Sequence, residues 1–273
     1  MTFPDEVTLD VSAPLLFPDE PAPFIVENRT GHSPFLILCD HGGKRIPRRL
    51  GDLGLPQSEI DRHIGWDIGV LAVSRHLSQL LNAPLVHQIY SRLVIDCNRN
   101  PGIPSSIPTI SEATLVPGNM TLSQHDRDQR QTEIFEPYHA AIREILAERK
   151  ALGIPTCLLA MHSFTPVFHG EQRPWEIGVL YQHKADYALA ILEQLQQSQR
   201  WTVGDNQPYS VSDETDYAVP QHAVKNDLHY VEIELRQDLI GHPAGQLTWA
   251  EDLAPIFTQC WEDIVSHQFK KEA

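Results

Sequence analysis

The chain has 273 residues, enough to bury a substantial core, and its 36 acidic and 21 basic side chains give a formal charge of −15. That balance disfavours a nucleic-acid partner, because the clustered Lys and Arg a phosphate backbone needs occur only in the short Lys44-Arg45…Arg48-Arg49 run. No run of 18 apolar residues suggests a membrane partner, the acidic Met1-Thr-Phe-Pro-Asp-Glu is no signal peptide, and the four cysteines form no CxxC pair, so a cytoplasmic protein is expected.

Residues 1–30 hold Pro4, Pro14, Pro18, Pro21 and Pro23, which predicts an extended N-terminal arm, with residues 31–273 forming a single α/β domain. The apolar run Phe35-Leu-Ile-Leu-Cys predicts a buried strand that ends abruptly at Asp40 and His41. A helix is expected within Ser58–Leu81, where Val70-Leu-Ala-Val-Ser-Arg-His-Leu-Ser-Gln-Leu-Leu carries apolar residues at helical spacing. Further strands are expected at 84–90, 92–97, 156–162, 176–182 and 229–236, with helices near 123–150, 184–199 and 249–268. This alternation predicts a three-layer α/β/α fold around a mixed, largely parallel central sheet. The Pro-rich stretch after Asn100 follows a predicted strand and is placed to cover whatever lies at that edge.

Polar residues gather at the ends of these strands. His41, Asp96 with Asn98 and Arg99, His162 with Ser163, and Glu234 would share one rim if the strands run parallel, and that rim is where open α/β sheets place their sites. Asp67 lies near a helix start and is either a helix cap or a carboxylate for the same rim, with His63 a rival from the same segment. Two histidines and an acid around one ion, with a fourth position open, make the usual ligand set of catalytic zinc. Arg92 and Arg99 put planar, bidentate carboxylate binders beside it. In Tyr230-Val-Glu-Ile-Glu-Leu-Arg, strand alternation puts Glu232 and Glu234 on one face and Val231, Ile233 and Leu235 on the other. Paired carboxylates on a buried strand suggest a general base or a salt bridge to Arg236 or Arg92.

Six segments in this order resemble the N-formylglutamate amidohydrolase family: Cys39-Asp-His-Gly-Gly-Lys-Arg-Ile-Pro, Asp61-Arg-His-Ile-Gly-Trp-Asp-Ile-Gly, Ser91-Arg-Leu-Val-Ile-Asp-Cys-Asn-Arg, Met161-His-Ser-Phe-Thr-Pro, Gly204-Asp-Asn-Gln-Pro-Tyr and Val231-Glu-Ile-Glu-Leu-Arg. The resemblance spans about residues 30–245. It implies the phosphorylase/hydrolase-like fold, kinship with zinc carboxypeptidases and aspartoacylases, and hydrolysis of N-formyl-L-glutamate. By it His41 and His162 match the metal histidines, Asn98 and Arg99 the pair that holds a substrate carboxylate, and Glu234 the catalytic glutamate. The related carboxypeptidases supply an acidic ligand three residues after the first histidine. Lys44 stands there in this chain, which leaves Asp67 as the expected acid.

The chemistry so implied is one catalytic Zn2+ per chain on His41, Asp67 and His162 and a small, acidic N-acyl amino acid as substrate. Glu234 would move the proton and Arg92 steady the oxyanion, while Asn98, Arg99, Tyr209 and Ser163 would line the substrate. A metal-dependent peptidase or cell-wall amidase, separated by whether residues 100–119 close the cleft, and a non-catalytic binding protein stand as alternatives.

Overall fold

The computed structural model describes the backbone of residues 13–272 and the side chains of residues 13–266. The first twelve residues of the expected arm lie outside the described residues. Seven strands form the main sheet: β1 (Phe24–Glu27), β2 (Phe35–Cys39), β3 (Leu85–Gln88), β4 (Cys157–Phe164), β5 (Ile177–Leu180), β6 (Val203–Asp205) and β7 (His229–Arg236). They run in the order β1-β3-β2-β4-β7-β5-β6. The four central strands β3, β2, β4 and β7 are parallel, while β1 pairs antiparallel with β3 and β5 antiparallel with β7. The expected mixed, largely parallel sheet is therefore present.

Both faces of this sheet are covered. Ile37 and Cys39 of β2, Leu159 and Met161 of β4, and Val231, Ile233 and Leu235 of β7 pack against α1 (Val70–Leu80), α4 (Asp186–Ser198) and α5 (Pro243–Glu272). Leu36, Leu38, Leu158 and Ala160 face the other way, onto Ile134, Phe135, Tyr138, Ile142 and Ile145. Each such buried aliphatic or aromatic side chain stabilises the fold by about 1.5–3 kcal/mol before entropy is counted. The second layer is built from α2 (Gln124–Arg130) and α3 (Glu136–Ala151), joined by a π-helical turn at Gln131–Phe135. Ser123 caps α2 by accepting from the Asp126 N–H while Asp126 accepts from that of Ser123. Pro137, which has no N–H to give, follows the widened turn.

One expected strand is absent among the described residues. Residues 92–97 are turns rather than a strand, although Leu93, Val94 and Ile95 are buried as a strand would bury them. The Gln88 side chain ends β3 by accepting from the N–H groups of Ile89 and Tyr90, and Ser91 takes the Leu93 N–H, so side chains compete with the ladder. Within the expected arm, Phe24–Glu27 is extended and pairs with β3 as an edge of the sheet. α5 also begins earlier than expected, at Pro243. All four cysteines are buried and free. No helix among the described residues is long and apolar enough to cross a membrane.

Candidate active site

The parallel direction of β2, β3, β4 and β7 brings their carboxyl ends to one rim, and a cavity of about 670 Å³ opens there. His41 stands just beyond β2, His162 near the end of β4, and Glu232 and Glu234 on β7, with Glu234 the register partner of His162. Asp67 reaches the same point from the loop before α1. It is no helix cap, because Gly69 holds that position and the Asp67 carboxylate points into the rim. Gly69 has φ +82°, and a Cβ there would lie 2.1 Å from the Ile240 carbonyl oxygen, so only glycine allows this entry. The same logic fixes Gly43, where a Cβ would meet the Ile89 carbonyl oxygen at 2.1 Å.

His41, Asp67 and His162 are all buried, and each offers a ligand atom within 4.8 Å of the others. Asp67 Oδ2 lies 3.4 Å from His41 Nδ1 and 3.1 Å from His162 Nδ1, and it accepts the Ser163 N–H at 3.2 Å. A second carboxylate stands behind each histidine. Asp96 Oδ1 is 2.7 Å from His41 Nε2, and Asp40 Oδ2 is 3.5 Å from His162 Nε2. Asp40 in turn accepts from the Tyr138 hydroxyl at 2.6 Å. A carboxylate on the outer nitrogen of a histidine orients the ring and leaves its inner nitrogen to bind a cation, as is usual for metal-ligating histidines.

The residues fit a divalent metal on two counts. His41 Nδ1 is a buried ring nitrogen with no hydrogen-bond partner, aimed at Asp67. Negative charge is also concentrated around the histidines. Burial opposes an imidazolium at His162, but Asp40 and Asp67 outweigh it and raise its pKa well above the usual value. A bound cation would take that proton's place. Two imidazoles and one carboxylate with room for a fourth ligand is a donor set suited to zinc.

Burial also pushes the carboxyls of both Glu232 and Glu234 upward, and each has an Oε2 without a hydrogen-bond partner. Like charge at Asp67 adds to the effect at Glu234, whereas His162, Arg92 and Arg173 oppose it. A carboxyl raised towards neutrality beside a polar cavity is suited to passing a proton in either direction.

The remaining expected residues divide by what they touch. Arg92 lines the cavity, but its fork holds Asp96 through Nε (3.1 Å) and Nη2 (2.7 Å) and reaches Asp67 through Nη1 (3.3 Å). Asn98 is buried with its Oδ1 accepting the N–H groups of Tyr217 and Ala218 and its Nδ2 donating to Asp216, so it fixes the segment 216–218 to the rim. Arg99 donates to Asp216 at 3.3 Å and keeps other N–H groups for the cavity it lines. Ser163 donates its hydroxyl to the Ile68 carbonyl, which holds the Asp67 loop. Tyr209 lines the cavity and accepts from Arg173 at 2.9 Å. His63 lies apart from the cluster, 3.5 Å from Glu112, and Lys44 is paired with Asp61.

Sequence reasoning missed Arg173. Its guanidinium sits 4.4 Å from the Phe168 ring centre, 4.8 Å from Tyr209 and 5.9 Å from Phe164, with no ion pair to a carboxylate among the described residues. It also missed Asp216, whose partners Asn98 and Arg99 lie almost 120 residues away in sequence. Residues 105–112 contribute Ser105, Pro108, Ile110, Ser111 and Glu112 to the cavity wall, so the Pro-rich loop does line the rim.

A buried rim of histidine, aspartate and glutamate at the carboxyl edge of a mixed α/β sheet stands where open α/β folds hold their ligands. Residues 33–241 match the family model for N-formylglutamate amidohydrolase, and the chain belongs to that family. Among solved structures it resembles the gene product Atu2144 from Agrobacterium tumefaciens at 37% identity and TM-score 0.89, over 92% of this chain and 99% of that one. It shares the fold of the N-formylglutamate amidohydrolase from Ralstonia eutropha JMP134 at 18% identity and TM-score 0.69, over 90% of this chain and 100% of that one. Comparison with curated proteins finds no significant match.

Proposed function

We propose that the chain is a zinc-dependent amidohydrolase that cleaves the amide of a small N-acyl amino acid, N-formyl-L-glutamate or a close analogue. The observation that carries this reading is the buried His41, Asp67 and His162 cluster, with ligand atoms within 4.8 Å of one another, beside Glu234. A divalent metal held there by these three side chains would activate water and polarise the acyl carbonyl. Asp96, bonded at 2.7 Å, would keep the His41 ring oriented for ligation, and Asp40 stands 3.5 Å behind the His162 ring.

Glu234 accepts a proton from the attacking water as the oxygen joins the acyl carbon. The C–N bond then breaks, and Glu234 returns the proton to the departing amine, leaving formate and glutamate from an N-formyl-L-glutamate substrate. Arg92, whose fork is fixed by Asp96 and Asp67, would offer its remaining N–H groups to the oxyanion. Arg99 lines the cavity and Arg173 packs behind its Tyr209 and Phe168 wall, and these two are the cations assigned to substrate carboxylates. A cavity of about 670 Å³ walled by residues 105–112 favours a small molecule over a polymer.

The test is a zinc determination on protein purified without added metal, together with formate release from N-formyl-L-glutamate and a panel of N-acyl amino acids. Zinc near one per chain with turnover of an N-acyl dicarboxylic amino acid is expected. Turnover confined to peptides or cell-wall fragments would contradict the reading.

A further inference from the structure

A second cavity of about 590 Å³ lies between α3 and residues 217–228, its Tyr217 next in sequence to the Asp216 that lines the first. Its wall is apolar where Leu146, Ala147, Ile154 and Leu228 meet, and Tyr217 and His222 form part of its lining. Two cations, Arg143 and Lys150, stand on it about two helical turns apart, an i,i+7 pair on one face of α3. Lys150 has no ion pair among the described residues, and Arg143 has only a loose one, 3.8 Å from Glu136. On a chain with a net charge of −15, two under-used cations beside an apolar hollow are a local exception that fits an anion with an apolar body.

This hollow is joined to the first site by direct contacts. Tyr217 packs on His139 with ring centres 4.5 Å apart and on Phe135 at 4.8 Å. Its backbone N–H is held by Asn98 Oδ1, and its neighbour Asp216 holds both Asn98 and Arg99. His222, from a π-helical turn at Val219–Ala223, bonds His139 at 2.8 Å, and His139 reaches the Cys97 carbonyl at 2.9 Å, one residue before Asn98. The other π-helical turn, Gln131–Phe135, supplies Phe135 to the same cluster. Such widened turns are often found at functional sites.

We propose that this cavity is a second binding site, for a small organic anion with an apolar body, and that its occupation is transmitted through Tyr217 and Asp216 to the Asn98–Arg99 pair of the first cavity. A ligand seated against Tyr217 restrains the segment that positions Arg99, so it changes how the first cavity holds a carboxylate.

The experiment uses the full chain and anilinonaphthalene sulfonate as the probe, followed by its fluorescence. Ala147 is exposed on α3, so Ala147→Trp fills the hollow with little risk to folding, and Lys150→Glu reverses one of its charges. One saturable site per chain is expected, weakened about tenfold or more by each substitution, and not displaced by N-formyl-L-glutamate. Unchanged affinity in both variants, or displacement by that substrate, would overturn the site. The link is read separately: the probe should shift the KM for N-formyl-L-glutamate in the wild type and not in Ala147→Trp. An equal effect in both would overturn the link. If no substrate is turned over at all, the proposed function fails while the fluorescence titration still decides the second site.

Discussion

His162 and Glu234 are register partners on the neighbouring parallel strands β4 and β7, so their side chains leave the sheet on the same face. Ala160 and Glu232 form the next pair on that face, two residues further from the carboxyl ends of the strands. The sheet itself thus sets which glutamate stands beside the histidine pair. No loop movement is needed to assemble them.

Loss of a metal follows from removing a ligand. His162→Ala should strip zinc and abolish hydrolysis while the fold persists, because β4 remains covered on both faces. Asp67→Ala should do the same, and His63→Ala should keep the metal, since His63 stands with Glu112 instead. Elemental analysis and circular dichroism on the same samples check this. Retained zinc in His162→Ala would remove the histidine from the site.

Carboxylate recognition should depend on two arginines held in different ways. Arg99→Lys and Arg173→Lys should each weaken transition-state binding by about 2–3 kcal/mol, because an ammonium does not reproduce the planar fork. Arg173 also stacks on Phe168 and Tyr209, contacts that lysine makes less well. The check is kcat/KM on N-acyl glutamate and on its amides, where the loss should vanish with the carboxylate. Equal losses on both would show that the arginine supports the fold only.

Stability should fall in mild acid because of a buried histidine pair. Burial lowers His139 to about 4, and burial with the adjoining His139 lowers His222 to about 3. The Cys97 carbonyl can only accept, so His139 donates to it and receives from His222, and both rings are neutral. The unfolded chain takes up protons at its histidines near pH 6.5, while the folded pair resists down to about 4. Their stabilisation is therefore complete above pH 6.5 and is lost as the pH falls, about 2 kcal/mol for each ring at pH 5. His222→Gln keeps a donor for His139 and should lose less stability between pH 7.5 and 5 than the wild type. Urea unfolding at the two pH values measures it, and equal losses would contradict the account.

Much of the rim was legible because strand ends interrupt apolar runs with polar residues. Phe35–Cys39 stops at Asp40 and His41, and the alternation in His229–Arg236 sorts its two glutamates from its apolar residues. The turns at 92–97 were misread since Leu93, Val94 and Ile95 are buried in either case, and periodicity does not see the Gln88 and Ser91 side chains that end the strand. The antiparallel edge β1 was hidden by its proline-rich surroundings. Asp216 and Arg173 carried no local signal. Their roles come from contacts made only when distant segments fold together, Asp216 with Asn98 and Arg173 with Tyr209.

The most direct measurement compares Glu234→Gln with Glu232→Gln in steady-state hydrolysis of N-formyl-L-glutamate, with zinc determined on the same samples. Glu234→Gln should keep zinc and KM while kcat falls by roughly 10²–10⁴-fold, the range for losing a positioned proton-transfer group. Glu232→Gln should cost far less. An unchanged kcat in Glu234→Gln, or the larger loss in Glu232→Gln, would contradict the account.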